Sequence, residues 1–377
     1  MNLQLSKSKQ KLLFLDEIQA TPAALPCLRY FYEEIPELPV IAAGSLLEFM
    51  LNDHSYSMPV GRIEFLHMGP MNFNEFLIAK KETYFLEKLS KISFNQLDKI
   101  SDDFHKKGLE LIREFLFIGG MPEAVANYIE NGVDSVAPIH AQILQTCQND
   151  FVKYAKKTHL DKIQKVFRYS FLNPCQKIKY SNISKDDLTR NVKFNLHLLA
   201  QAKVIAKVLH SNCSGLPLEV SEDDSIFKIL ALDVGLMNQL HGLILKNFKN
   251  FNEQEIITEG LIAEQFVGQH LLYRNQPYME PKLNYWLREG KEKNAEIDFI
   301  IEKENNILAI EVKAGAAGKI RSLHQWMKDI PYKKKKAIRF NLSKGTIEKV
   351  SYQMEKGNLE YSLLTLPLYL IQHFIES

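Results

Sequence analysis

Short continuous apolar runs alternate with helix-period stretches at the start of the chain. "LLFLD" reads as a buried strand, "PAALPCLRYFYEE" as a helix, "LPVIAAG" as a second strand and "SLLEFML" as a second helix. This βαβα rhythm predicts a parallel α/β sheet. From about Asn72 to Cys175 the apolar spacing becomes mostly helical. Residues 184–211, "SKDDLTRNVKFNLHLLAQAKVIAKVLHS", predict a helical stretch ending in the strand "VIAKVL". A small winged-helix-like unit has that layout, and so has a plain helical connector. From "EGLIAEQFVGQHLLY" onward the rhythm is helix, three strands, helix, strand, which predicts a separate α/β domain. The expected divisions are a sheet core over 1–70, a helical region over 71–158, a helical or winged-helix-like segment over 159–215 and an α/β domain over 216–377.

Composition narrows the class of protein without choosing a function. The 377 residues are 46% hydrophobic and 24% charged, which suits a soluble globular chain of two or three domains. A net charge of +2 makes no global electrostatic case for nucleic acid or against it. The densest basic run, Lys333 to Lys336, reads as a solvated loop. Cys27, Cys147, Cys175 and Cys213 form no CxxC pair, so neither a zinc site nor a disulfide framework is expected. No apolar stretch is long enough to cross a membrane, and Asp16 and Glu17 end the first apolar run too early for a signal peptide. The expected compartment is the reducing cytoplasm.

Two acidic constellations carry candidate chemistry. In "KLLFLDEIQ" an apolar strand ends in Asp16 and Glu17, at the strand end where α/β sheets place ligands. In nucleotide hydrolases such an Asp holds magnesium, and a neighbouring Glu orients or deprotonates the attacking water. "VIAAGSLL" follows with Ser45 beyond a second strand, suited to a γ-phosphate, and "PVGRIEF" offers Arg62 as a charge-stabilising arginine.

This succession resembles the AAA-type predicted ATPases of bacteria and archaea that carry a C-terminal domain of uncharacterised function. "GPMNFNEFL" (69–77), "FIGGMPEAV" (117–125) and "QNDFVKYAKK" (148–157) add to the resemblance, which runs from about Leu12 to Ala314. It implies a G-x-x-x-x-G-K-[ST] loop that cradles the phosphates, and no such loop occurs in this chain. Eleven residues before Leu12 do not suffice for a strand, loop and helix, a unit of roughly 20 residues or more. The expectation is an N-terminally shortened member that does not hydrolyse ATP alone, with "DEIQ" kept as structure. A sheet without its central strand would expose apolar surface around Leu12–Leu15 and Val40–Ala43, inviting self-association or a covering partner.

The second constellation is "AEIDFIIEKENNILAIEVKAG", residues 295–315. Two strand-like runs folded about a turn between Glu304 and Asn305 put Asp298 opposite Glu311 and Glu296 opposite Lys313. Alternation sends those four to one face, and Ile297, Phe299, Ile301, Leu308, Ile310 and Val312 to the other. Facing carboxylates repel and call for a proton or a cation, and magnesium favours one or two carboxylates. Lys313 could orient a water or offset charge building on a phosphate. This D…E-x-K arrangement resembles the restriction-endonuclease-like PD-(D/E)XK nuclease superfamily. The resemblance implies metal binding by Asp298 and Glu311, assistance by Lys313, and an additional helical acid at Glu264. The rival expectation is a Glu296–Lys313 salt bridge on an exposed face.

Asp233 in "LALDVGLMNQL" is expected to cap a helix, Trp286 to pack at a strand end, and Gly119-Gly120 to form a turn before a helix. The histidines make no ligand-spaced pair and read as structural. Together with the resemblance to PD-(D/E)XK nucleases, the second constellation implies Mg2+-dependent binding or cleavage of nucleic acid. The alternatives are a non-enzymatic DNA- or protein-binding module with a vestigial acidic site, or one piece of an interrupted ATPase gene.

Overall fold

A computed structural model of the chain describes residues 11–44, 61–151, 160–185, 187–243, 260–290, 294–313, 320–353 and 358–377. The fold is mixed α/β, with a two-stranded parallel sheet and one large mixed sheet.

The small sheet pairs β1 (Leu13–Leu15) with β2 (Val40–Ala42), and α1 (Cys27–Glu34) lies between them in sequence. Ile18, Leu25 and Leu38 are its buried apolar residues, and they belong to neither of the two main core clusters. Leu12, Phe14 and Ile41 are exposed.

The helical region consists of α2 (Phe73–Ala79), α3 (Thr83–Ser90), α4 (Asp102–Ile118), α5 (Pro122–Asn131) and α6 (Val136–Asp150). It continues through α7 (Leu160–Leu172), α8 (Tyr180–Ile183) and α9 (Thr189–Gln201). The "GPMNFNEFL" stretch makes a capping box at the start of α2. The Asn72 side chain accepts from the Glu75 amide at 2.9 Å, and the Glu75 carboxylate accepts from the Asn72 amide at 2.7 Å. Phe73, Phe76 and Leu77 then turn into the core.

The large sheet contains β3 (Ile205–Ser211), β4 (Glu222–Ala231), β5 (Leu283–Arg288), β6 (Ala295–Lys303) and β7 (Asn306–Val312). It is completed by β8 (Lys335–Asn341), β9 (Thr346–Gln353) and β10 (Asn358–Pro367), in the order β4-β3-β5-β6-β7-β8-β10-β9. Helices α10 (Val234–Leu240), α11 (Gly260–Leu272), α12 (Arg321–Asp329) and α13 (Ile371–Glu376) complete the elements. The division expected at residue 215 falls inside the β3–β4 hairpin. The helical segment and the C-terminal region therefore share one sheet, because β3 hydrogen-bonds to both β4 and β5. The closing β9–β10 hairpin goes beyond the predicted rhythm; its β9 has mostly exposed residues and lacks an apolar run. The basic run is only partly loop. Lys335 and Lys336 open β8, and the Lys335 ammonium donates to the carbonyls of Met327 (2.6 Å) and Ile330.

Helix α11 is apolar on every side and buried along almost its whole length, as such a helix must be. Its polar side chains serve other elements' backbones. Gln265 exchanges two hydrogen bonds with Ala231 at the end of β4, and Gln269 accepts from the Val234 amide at 2.9 Å. His270 accepts from the Phe73 amide at 3.0 Å and donates to the Phe266 carbonyl at 2.8 Å. Burial lowers its pKa to about 4, so it stays neutral.

Asp233 caps α10, as its position predicts. Its Oδ1 accepts from the amides of Gly235 (2.9 Å) and Leu236 (3.1 Å). Oδ2 accepts from the Gly120 amide at 2.7 Å and the Gln269 side chain at 3.3 Å. Gly119 and Gly120 form the expected turn ahead of α5, and the reason for two glycines is local. A Cβ on Gly119, whose φ is +71°, would lie 2.1 Å from Asp233 Oδ1, and one on Gly120 would lie 2.1 Å from the Met71 carbonyl. Asp233→Ala would leave buried donors unpaired and should lower unfolding stability by about 3 kcal/mol or more. Urea unfolding measures this; a loss below about 1 kcal/mol would mean the cap is dispensable.

Candidate functional site

The β6–β7 register is the expected one. Phe299 pairs with Ile310, Ile301 with Leu308 and Lys303 with Asn306, about a turn in which Glu304 and Asn305 both have positive φ. The ladder ends at the pair Phe299–Ile310. Beyond it the Asp298 carboxylate accepts from the Val312 amide at 2.7 Å, and its charge acts on the neighbouring Glu311.

The expected division of faces fails at Ile297. Phe299, Ile301, Leu308, Ile310 and Val312 share the larger core cluster, whereas Ile297 sits in the other with Ala295 and Ile300. The cause is an irregularity against β5, where the register shifts between the pairs Asn284–Ile300 and Trp286–Ile297. An extra residue in one strand reverses the alternation beyond it. Trp286 pairs with Ile297 and packs in the second cluster, but within β5 and not at the strand end expected of it.

The same shift redirects Glu296. Its partner is Lys228 of β4 (2.5 Å), not the expected Lys313. The Lys228 ammonium also contacts Glu264 on α11 at 3.0 Å and lies 5.1 Å from the Tyr285 ring centre. Lys228 is almost completely buried. Burial pulls its pKa down, but Glu264, Glu296 and Asp298 more than reverse that and hold it well above the ordinary value. Lys313 is ion-paired with Glu311. Desolvation opposes its charge too, and Glu311 and Asp298 outweigh it.

Glu311 is 3% exposed, and its Oε2 has no hydrogen-bond partner. Burial, and then the Asp298 charge, push its pKa up to about 8 against the pull of Lys313. Burial pushes Glu264 to about 8 as well, with Asp298 adding to it and Lys228 opposing. If every group were ionised, four carboxylates and two ammonium groups would leave two excess negative charges. Protonation of Glu264 and Glu311 removes that excess, and a divalent cation would do the same. Among the described residues, no three His, Cys, Asp or Glu side chains come together as a metal-holding group. Asp298 and Glu311 are neighbours, while Glu264 is committed to Lys228.

The first constellation is a turn bonded to itself. Asp16 accepts from the Glu17 amide at 3.0 Å, Glu17 has φ +49°, and the Gln19 amide donates to the Glu17 carboxylate. Arg62 donates to Glu33 on α1 at 2.8 Å. Ser45 lies outside the described residues.

A family model described as an AAA domain matches residues 1–77. Two models of domains of unknown function match further stretches, DUF8612 over 109–247 and DUF4143 over 259–357. These matches support an AAA-type family with a C-terminal uncharacterised domain. No curated protein and no solved structure matches the chain. The AAA match spans Asp16, Glu17, Ser45 and Arg62, and the DUF4143 match spans Glu264, Asp298, Glu311 and Lys313. Lys228 belongs to the DUF8612 stretch, so the charge cluster joins two matched regions. Sequence reasoning passed over Lys228. Its one signal is a lone cation inside the apolar run "SIFKILAL".

Two outcomes test these charges. Lys228→Met strands Glu264 without its cation and should cost about 3 kcal/mol in urea unfolding; an unchanged midpoint would make the pair incidental. The raised Glu311 pKa means that the folded state takes up a proton that the unfolded state, near the ordinary 4.5, releases. That contribution is present below about pH 4.5 and is lost as pH rises through about 8. Glu311→Gln should therefore gain on wild type between pH 5 and 9, on the order of 3 kcal/mol. A difference independent of pH would show a carboxylate ionised throughout.

Proposed function

We propose that this chain binds or cuts nucleic acid with the help of Mg2+ at Asp298, Glu311 and Lys313, and that it does not turn over ATP by itself. The observation that carries this is the buried Glu311 carboxyl with an unpartnered oxygen, within the field of Asp298 and ion-paired with Lys313. The order helical acid, strand acid, strand E-x-K supports the resemblance to PD-(D/E)XK nucleases. Asp298 and Glu311 would hold the metal, a donor set of two carboxylates that suits magnesium. When bound, magnesium supplies Lewis-acid polarisation of a phosphoryl oxygen. The Lys313 ammonium offsets charge growing on the phosphate. Glu264 is held by Lys228 beside this pair and contributes field more than ligation. For ATP, the 377 residues contain no G-x-x-x-x-G-K-[ST] loop to cradle phosphates.

A specific observation favours a second reading, a non-enzymatic binding module. Every acid of the cluster already has a partner in the chain: Lys313 for Glu311, Lys228 for Glu264 and Glu296, and the Val312 amide for Asp298. Incubation of wild type, Asp298→Ala and Lys313→Ala with single- and double-stranded DNA and RNA separates the two. Cut products that need Mg2+ or Mn2+ and fall at least about 100-fold in both variants are expected of a nuclease. A folded wild type that binds with steep salt dependence, needs no metal and cuts nothing would leave the module. In parallel, ADP release by the purified chain is expected to be nil, and steady turnover would refute that part.

A further inference from the structure

A second site lies on the helical region, within residues 82–107. A cavity of about 630 Å³ opens between α3, the short 3-10 helix Phe94–Lys99 and the start of α4. That volume falls in the range of small-molecule sites, about 300–1,000 Å³. Its lining carries Lys88, Lys91, Lys99 and Lys107 against the two acids Glu82 and Asp103, an excess of positive charge. The four cations are not equally engaged. Lys107 pairs with Glu82 at 2.8 Å, and Lys91 pairs with Glu87 at 2.5 Å. Lys99 donates to a neutral group, the Gln96 side chain, at 3.0 Å. The Lys88 ammonium lies 5.5 Å from the ring centre of Tyr84 and within the field of Glu87.

The aromatic component is as distinct as the charge. Phe85 and Phe104 stack with centroids 4.4 Å apart and an interplanar angle of 11°. Tyr84 lines the same cavity, is 72% exposed and carries the Lys88 ammonium over its ring. Lysines around an exposed aromatic ring combine the two features that hold a nucleotide: cations for the phosphate and a flat surface for the base. A purely anionic ligand would not need Tyr84, and an apolar ligand would not need the lysines.

We infer that this cavity binds a nucleotide unit, with Lys88 and Lys99 on the phosphate and Tyr84 stacking on the base. The unit is either free in solution or part of a single strand. The site is independent of the acidic cluster, since Asp298, Glu311 and Lys313 take no part in its lining.

Fluorescence anisotropy of a labelled ten-nucleotide thymidine strand tests this, with the full chain, low salt and EDTA to keep the metal site silent. Competition by unlabelled AMP separates the two sources. Wild type should bind, and Tyr84→Ala and Lys88→Ala/Lys99→Ala should each weaken binding at least 10-fold. All three side chains are exposed, so circular dichroism and the unfolding midpoint should stay unchanged. The double lysine variant should also flatten the salt dependence, by about 0.7 in logarithmic slope for each phosphate it no longer neutralises. AMP that displaces the strand at similar concentration identifies a mononucleotide site, and a strand that resists AMP identifies a single-strand site; both support the inference. Absence of binding by wild type, or equal binding by the variants, overturns it. Asp298→Ala should bind as wild type does, so loss of nuclease activity and loss of this site give different patterns.

Discussion

A fully buried carboxylate survives only if hydrogen bonds replace the water it has lost, and Asp233 is such a group. Its four donors come from three places: the start of α10, the Gly120 turn and α11. Each of those segments must therefore be in position for the others to be tolerated. Gly119, Gly120 and Gly235 follow from the same constraint. A side chain at any of them would strike Asp233, the Met71 carbonyl or the Ile118 carbonyl. Gln265, Gln269 and His270 extend the arrangement to β4 and α2. Unpaired backbone groups are costly in the interior, so the polar side chains of this apolar helix decide what packs against it.

The charge cluster hangs on that frame. Helix α11 carries Glu264 to Lys228 on β4, and β6 and β7 bring Glu296, Asp298 and Glu311 alongside. Burial makes charge expensive at Lys228, Glu264 and Glu311; attraction more than offsets the cost at Lys228 and only partly at the two acids. The result is that Glu264 and Glu311 hold their protons to higher pH than ordinary carboxyls do. Perturbed titration of this kind is common at functional sites and also arises in structural ion pairs. Here both readings draw on the same residues, and chemistry with nucleic acid decides between them.

A single irregularity in β6 shapes this cluster. Strand alternation places side chains reliably only while pairing is regular. The register shift against β5 sends Ile297 to the second core cluster and Glu296 to Lys228. Asp298, at the irregularity, accepts from the Val312 amide.

Local pattern by itself determined a good deal of this. Apolar runs marked β1, β2, β6 and β7, the turn at Glu304-Asn305 set the β6–β7 register, and Asp233 before an apolar helix announced a cap. The pairs from Phe299–Ile310 to Lys303–Asn306 followed from strand geometry, since facing positions depend only on the turn and a two-residue period. Tertiary structure alone decided the rest. Lys228 lies 36 residues from Glu264 along the chain and 3.0 Å from it in space. No local pattern encodes such a pairing, because burial and long-range packing choose a charge's partner. The β3–β4 hairpin joined the C-terminal strands for the same reason: hydrogen-bonding edges are completed by whatever strand the fold brings beside them.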